Sequence, residues 1–470
     1  MKPWQLTASA ALAKIQSAEL TVEAYTRSLL ERIEQRDDDV RAWVTLDKDR
    51  VIQQAMALDQ VPRAERGPLH GLPIAVKDVI YTKDMPTAHN SPLYGGSFPK
   101  VDAASVTILR QAGALIFGEC SVSSASTSHA HHLPPGKTTT TEFAATGVGP
   151  ETRNPHDLAR TPGGSSTGSA AAVGDFQTPI ALGTQTGGST IRPGSFNGIY
   201  AFKPTCGAIS REGQKLYAPS FDTLGLFARC VDDLILLTGV FAVEDDKESR
   251  FRGVEGERFA ICKTMAWEHA GEGTIAALEC AVELLQANCA IVEELDLGPE
   301  FASLPEWYDI MLSREGGTTF LPEHRVGKEK LHPTLVSHVE NSDGVSHKAY
   351  LKAFDGIAAL RPRMDEIASR YAAILTPSVP DEAPIGLEST GSYVFCKIWT
   401  ELTGRQALHT PVLNVPGFKG AKGLPIGLSL VVPRYQDRQL LRVGKAVGQI
   451  FESEGGWRRQ VHRADEALEK

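Results

Sequence analysis

Two glycine-serine runs and one lysine are the residues of this chain whose types and spacing could do covalent chemistry. The first run is Thr161-Pro162-Gly163-Gly164-Ser165-Ser166-Thr167-Gly168-Ser169. It leads into Ala170-Ala171-Ala172-Val173. The second is Gly183-Thr184-Gln185-Thr186-Gly187-Gly188-Ser189-Thr190-Ile191-Arg192-Pro193. Neither carries the lysine of a P-loop, and neither has the G-x-S-x-G order of a nucleophile elbow. Glycines just before a serine let backbone N–H groups turn toward one point, where they could stabilise an oxyanion on an attacked carbonyl.

A serine nucleophile needs a base. No histidine lies near either run. A lysine can serve if burial keeps it neutral, because desolvation disfavours the ammonium. Lys77 follows the apolar run Leu72-Pro73-Ile74-Ala75-Val76 and is placed for that role. The competing reading is a surface lysine whose stem packs on a sheet.

The elements that must position these groups are legible in outline. Thr21 is an expected N-cap, followed by Val22, Tyr25, Leu29, Leu30 and Ile33 at helical spacing. Residues 71–76 read as a turn feeding a buried strand, residues 103–112 as a helix and residues 114–117 as the next strand, which is α/β layering. The stretch 160–230 is rich in glycine, serine and threonine. Its apolar clusters (170–173, 180–182 and 199–202) require it to fold into a core rather than act as a linker. Residues 372–375 and 424–432 are further strand candidates, with a helix expected from about Gln436. Phe301, Trp307, Tyr308, Met311 and Phe320 could line or cover a pocket, or simply pack a core.

Composition narrows the function classes. The 470 residues are 42% hydrophobic and 22% charged, an ordinary soluble globular balance. A net charge of −9 and the lack of a basic run argue against direct binding of nucleic acid. Seven cysteines, an odd number with no C-x-x-C pair, point to free thiols rather than a disulfide framework or a structural zinc site. No membrane-length apolar run and no secretory h-region are present, so a cytoplasmic location is the expectation.

G-L-P-I-A-V-K-D, T-P-G-G-S-S-T-G-S-A-A-A-V and G-T-Q-T-G-G-S, in that order, resemble the amidase signature family. F-K-P-T at 202–205, S-F-D-T-L-G at 220–225 and the C-terminal G-L-P-I-G-L-S-L-V continue the likeness, which covers about residues 10–455. The resemblance implies a Ser–cisSer–Lys triad. Ser189 would be the nucleophile, Ser165 the bridging serine in a cis peptide linkage, and Lys77 the base. The N–H groups of Thr186, Gly187, Gly188 and Ser189 would hold the oxyanion, supported by Ser166, Gln185 and Arg192. Ser166 competes with Ser165 for the bridge, because sequence cannot say which of two adjacent serines points inward. For Lys77 to act near neutral pH it must lose its proton well below the usual lysine range.

The same resemblance implies the fold class: α/β, a mixed twisted central sheet covered by helices on both faces, with N-terminal helices packed outside. The expected organisation is one domain over 1–470. It comprises an N-terminal helical segment (1–65), a catalytic core (66–240), and a variable substrate-side region with a C-terminal core (241–470). Three departures from the commoner family pattern stand out. Thr167 replaces a glycine, Gln185 replaces an acidic residue, and Arg192 lies three residues past the nucleophile rather than two.

A larger departure is residues 119–136, E-C-S-V-S-S-A-S-T-S-H-A-H-H-L-P-P-G. The family usually runs from G-A-L-I-F-G straight into K-T-T-T-T-E-F-A, so these residues read as an insertion. They are either a retained intron of 54 nucleotides, at three per residue, or a genuine surface loop. His129, His131 and His132 have no carboxylate or cysteine pattern beside them, so a solvated loop is expected rather than a metal site.

The leading expectation is an amidohydrolase acting on a small amide, carbamate or ester through an acyl-enzyme. Two alternatives remain: the glutaminase subunit of a tRNA-dependent amidotransferase, and a member impaired by the insertion. No metal or organic cofactor is implied. The expected partner is a small-molecule substrate, without direct nucleic acid or membrane, and a homodimer is the assembly considered.

Overall fold

The computed structural model describes residues 2–117, 137–144, 151–400 and 408–462. The insertion at 119–136, with its three histidines, lies outside the described residues. The strands are β1 (Trp43–Thr45), β2 (Pro73–Val76), β3 (Leu115–Ile116), β4 (Lys137–Thr138), β5 (Ile180–Gln185), β6 (Tyr200–Lys203), β7 (Thr223–Ala228), β8 (Arg258–Ile261), β9 (Ile291–Glu294), β10 (Ala373–Pro377), β11 (Val412–Lys419) and β12 (Pro425–Val431). Ten of them form one mixed sheet in the order β3-β2-β5-β7-β6-β11-β12-β10-β8-β9. The flanks pair in parallel and the centre is antiparallel. β1 and β4 pair separately in a small antiparallel sheet. The helical reading of the first sixty residues passed over β1, a three-residue strand between two helices.

Side chains alternate across the pleat, and that alternation sorts the sheet into two cores. Phe259, Ile261, Ala373, Leu375, Leu413 and Leu430 face one side; Ala260, Cys262, Ile374, Val412 and Val431 face the other. The first core takes the N-terminal helices Ala8–Gln16 and Val22–Val40, with Glu272–Ala287 and Asp437–Glu454. The second takes Leu304–Thr319, Pro333–Glu340 and His347–Ala368. The expected mixed sheet with helices on both faces is therefore the observed one. Thr21 caps Val22–Val40, its side chain accepting from the Ala24 N–H.

Phe301, Tyr308, Met311 and Phe320 are buried in the second core, with half-buried Trp307 packed against it. Core packing, not a pocket wall, explains them. Six described cysteines are free thiols, and no helix among the described residues is long and apolar enough to cross a membrane.

Candidate active site

Sheet register brings the base to the serines. β2 and β5 run parallel, with Val76 beside Leu182, and the Lys77 N–H donates to the Leu182 carbonyl. Lys77 therefore leaves its strand level with the end of β5, where the second glycine-serine run begins. Its side chain is fully buried. Nζ donates to Ser165 Oγ at 2.7 Å and to Thr184 Oγ1 at 2.8 Å. Burial pushes the Lys77 pKa down to about 7, Asp222 acting to raise it and Arg192 to lower it further.

The peptide bond between Gly164 and Ser165 is cis. Ser165 faces Lys77, whereas Ser166 turns the other way. Ser166 Oγ donates to the Thr184 carbonyl at 3.1 Å and accepts from the Thr184 N–H at 3.2 Å. The adjacent serines differ in what they touch: Ser165 meets the lysine, and Ser166 pins the backbone of β5. Ser166 then leads into the helix Thr167–Gly174. Gly163, at φ +80°, lies so close to Pro193 that a Cβ would sit 2.9 Å from its Cα.

The second run forms a tight loop between β5 and the short helix Ile191–Phe196. Gln185 shapes it, Oε1 accepting from the N–H groups of Thr190 at 2.6 Å and Ile191 at 2.9 Å. Its Nε2 is buried with no hydrogen-bond partner among the described residues. A carboxylate at this position could place acceptors on both sides; the amide offers one acceptor and one orphaned donor. Arg192 is fully buried and joins the two serine runs. One Nη donates to the Gly164 carbonyl at 2.5 Å, the other to the Gly391 carbonyl at 2.6 Å, and the guanidinium lies 5.1 Å from the centre of the Tyr393 ring.

Ser189 is buried beside this loop, with Thr186 near it. Among the described residues the N–H groups of Gly188 and Ser189 donate no hydrogen bond, as open oxyanion donors should. Ser189 Oγ also makes none, so the structure brings Lys77 and Ser165 together but does not close a hydrogen bond from Ser189 to Ser165. Such contacts commonly tighten only as substrate binds. Gly188 packs under residues 393–396: a Cβ there would sit 2.6 Å from Tyr393 Cβ and 3.3 Å from Cys396 Sγ.

Two residues escaped the sequence reading. Thr184 is the second partner of Lys77. Asp222, just before β7, accepts from Thr186 Oγ1 and from the N–H groups of Tyr217 at 2.6 Å and Ala218 at 3.0 Å. Burial raises the Asp222 pKa to about 6 against these hydrogen bonds. Both sit inside quoted motifs, but only the pairing of β5 with β7 shows what they touch. Among the described residues no cluster of histidine, cysteine or carboxylate side chains could hold a metal.

A buried lysine thus meets a cis-linked serine beside a glycine loop with open backbone donors. The chain belongs to the Amidase family: the family model of that description matches residues 24–441. It is 31% identical to a glutamyl-tRNA(Gln) amidotransferase subunit from Streptomyces coelicolor, over 96% of this chain and 97% of that one. It is 33% identical to the protein of the same name from Symbiobacterium thermophilum, over 92% and 94%. Among solved structures it resembles an amidase (28% identity, TM-score 0.80, 96% of this chain and 100% of the other). It also resembles the glutamyl-tRNA(Gln) amidotransferase subunit of that name from Thermotoga maritima (26%, TM-score 0.74, 95% of each).

Proposed function

We propose that this chain hydrolyses the C–N bond of a carboxamide through an acyl-enzyme on Ser189, with Ser165 as proton bridge and Lys77 as base. The observation that carries this reading is the fully buried Lys77–Ser165 contact at 2.7 Å. With its pKa held near 7, Lys77 is substantially neutral at physiological pH, and in that form Nζ accepts a proton from Ser165. Ser165 takes the proton of Ser189 as Ser189 Oγ bonds to the carbonyl carbon. The carbonyl electron pair moves onto oxygen, facing the N–H groups of residues 186–189. As the tetrahedral intermediate collapses, the C–N bond breaks and the leaving amine collects the proton along the reverse path. Water then attacks the ester, giving up its proton along the same route, and the acid leaves as Ser189 regains its hydrogen.

Two substrates fit this chemistry. A small free-standing amide is one. Glutamine is the other, its side chain being a primary carboxamide, and the names of relatives that align over nearly the whole chain support it better. In that case the ammonia released would pass to a partner protein. The test is ammonia release from glutamine and from a panel of simple amides, with Ser189→Ala as control and the purified protein checked for a co-purifying partner. Turnover of glutamine with a bound partner supports the amidotransferase reading. Turnover of simple amides alone supports the amidase reading, and no Ser189-dependent release from any amide ends both.

A further inference from the structure

A cavity lies at the edge where β6 ends, β11 begins and β12 ends. Its volume is about 800 Å3, and none of the proposed catalytic residues lines it. Its walls carry Arg211, Arg314 and Arg434, with His347, His409 and Tyr350 between them. In a chain of net charge −9, three guanidinium groups around one cavity call for an explanation.

Among the described residues only Arg434 of the three is closed by an ion pair, and Arg211 acts on the Asp222 and Glu315 carboxylates at longer range. Arg434 is paired, Nη2 and Nε donating to Asp365 Oδ2 at 2.6 and 2.9 Å. Arg211 donates only to backbone carbonyls, those of Pro219 and Asp222, both at 2.7 Å. Arg314 meets only the His347 ring, at 3.3 and 3.4 Å. Among the described residues neither Arg211 nor Arg314 has a carboxylate within ion-pair distance. The one carboxylate in the wall, Glu315, is already engaged by the Ser220 N–H and hydroxyl and by the Tyr350 hydroxyl.

Behind the wall lie a buried lysine and a buried carboxylate, Lys203 and Asp437, each acting on the other's charge. Buried Lys203 donates only to the Pro204 carbonyl at 2.9 Å. Burial first, and then Lys203, Arg361 and Arg434, push the His409 pKa down to about 2 against a hydrogen bond to the Ser220 carbonyl. Tyr350, Phe354 and Tyr435 add ring surface to the same cavity.

We propose that this cavity is a second binding site, for a small organic anion whose carboxylate or phosphate group is held by Arg211 and Arg314 and whose apolar body lies against the aromatic wall. Charge-assisted hydrogen bonds from a planar guanidinium suit both head groups. A neutral molecule of the same shape would leave the arginines unsatisfied.

Calorimetric titration of the full chain with benzoate, phenyl phosphate and neutral benzyl alcohol tests this. Either anion is expected to bind with a Kd of about 1 mM or tighter, with no binding by the alcohol. Benzoate alone would identify a carboxylate site and phenyl phosphate alone a phosphate site. Arg314→Gln should weaken the bound anion about tenfold or more, and Arg314→Lys by less. Arg325→Gln, an exposed arginine on another helix, should change nothing. Thermal melts establish that each variant is folded, and if Arg314→Gln is not, Arg314→Lys carries the comparison. Absence of binding by both anions overturns the proposal, as does equal affinity in the folded Arg314 variants or equal loss in Arg325→Gln.

Discussion

Lys77 Nζ lies 2.7 Å from Ser165 Oγ, and among the described residues no carboxylate forms an ion pair with that lysine. Its second partner is neutral Thr184, and Asp222, whose charge acts on it, is committed to Thr186 and to two backbone amides. A lysine so placed is costly to charge, which is what a general base near neutral pH requires.

The first prediction concerns pH. Because its pKa is lowered, Lys77 is the active neutral amine above about pH 7 and the inactive ammonium below it. The kcat/KM profile should therefore rise through about pH 7 on its acidic side. The stability linkage has the same sign. Between about 7 and the usual lysine range near 10.5, the unfolded chain binds the proton that the folded chain does not, so this residue's destabilising contribution is relieved as pH rises across that window. A profile flat from pH 5 to 9 would contradict the assignment.

Asp222 raises the Lys77 pKa, so Asp222→Asn should move the acidic limb to lower pH. The asparagine oxygen can accept from the Tyr217 and Ala218 N–H groups while its NH2 donates to Thr186 Oγ1, which keeps the loop in place. A pH–rate comparison with wild type reads the shift, and movement to higher pH would show that the charge acts elsewhere.

The two adjacent serines should separate cleanly. Ser165→Ala removes the proton bridge and should lower kcat by about 100-fold or more. Ser166→Ala leaves the Thr184 backbone groups without their partner. It should cost about 1–3 kcal/mol of stability, read by denaturant melts, while changing kcat far less. The reverse pattern would exchange their roles.

Gln185 orders the loop that carries Ser189. Gln185→Ala strands the buried N–H groups of Thr190 and Ile191 and should destabilise the chain by about 1–3 kcal/mol. Displacement of Ser189 should also lower kcat by about 100-fold. A variant with unchanged melting and turnover would remove Gln185 from the account.

Much of this was readable in the chain. The motifs carried Lys77, the serines and the glycine loop, and short apolar runs carried β2, β5 and β12. Left unread was whatever depends on register. Thr184 and Asp222 become partners only because β5 lies between β2 and β7. The pairing of Trp43 with Thr138 joins segments far apart in sequence, so no local pattern announces β1 and β4. The aromatic residues from Phe301 to Phe320 could be pocket or core by type alone, and burial against the second face of the sheet decided for core. Arg211, Arg314 and Arg434 of the proposed anion cavity come from separate segments and leave no motif.

The most direct measurement is the intact mass of the protein after reaction with a fluorophosphonate probe, beside Ser189→Ala. A nucleophile activated by Lys77 through Ser165 should give a single adduct, absent from Ser189→Ala and strongly slowed in Lys77→Ala. No adduct on the wild-type chain, or an adduct that survives Ser189→Ala, would contradict the proposed site.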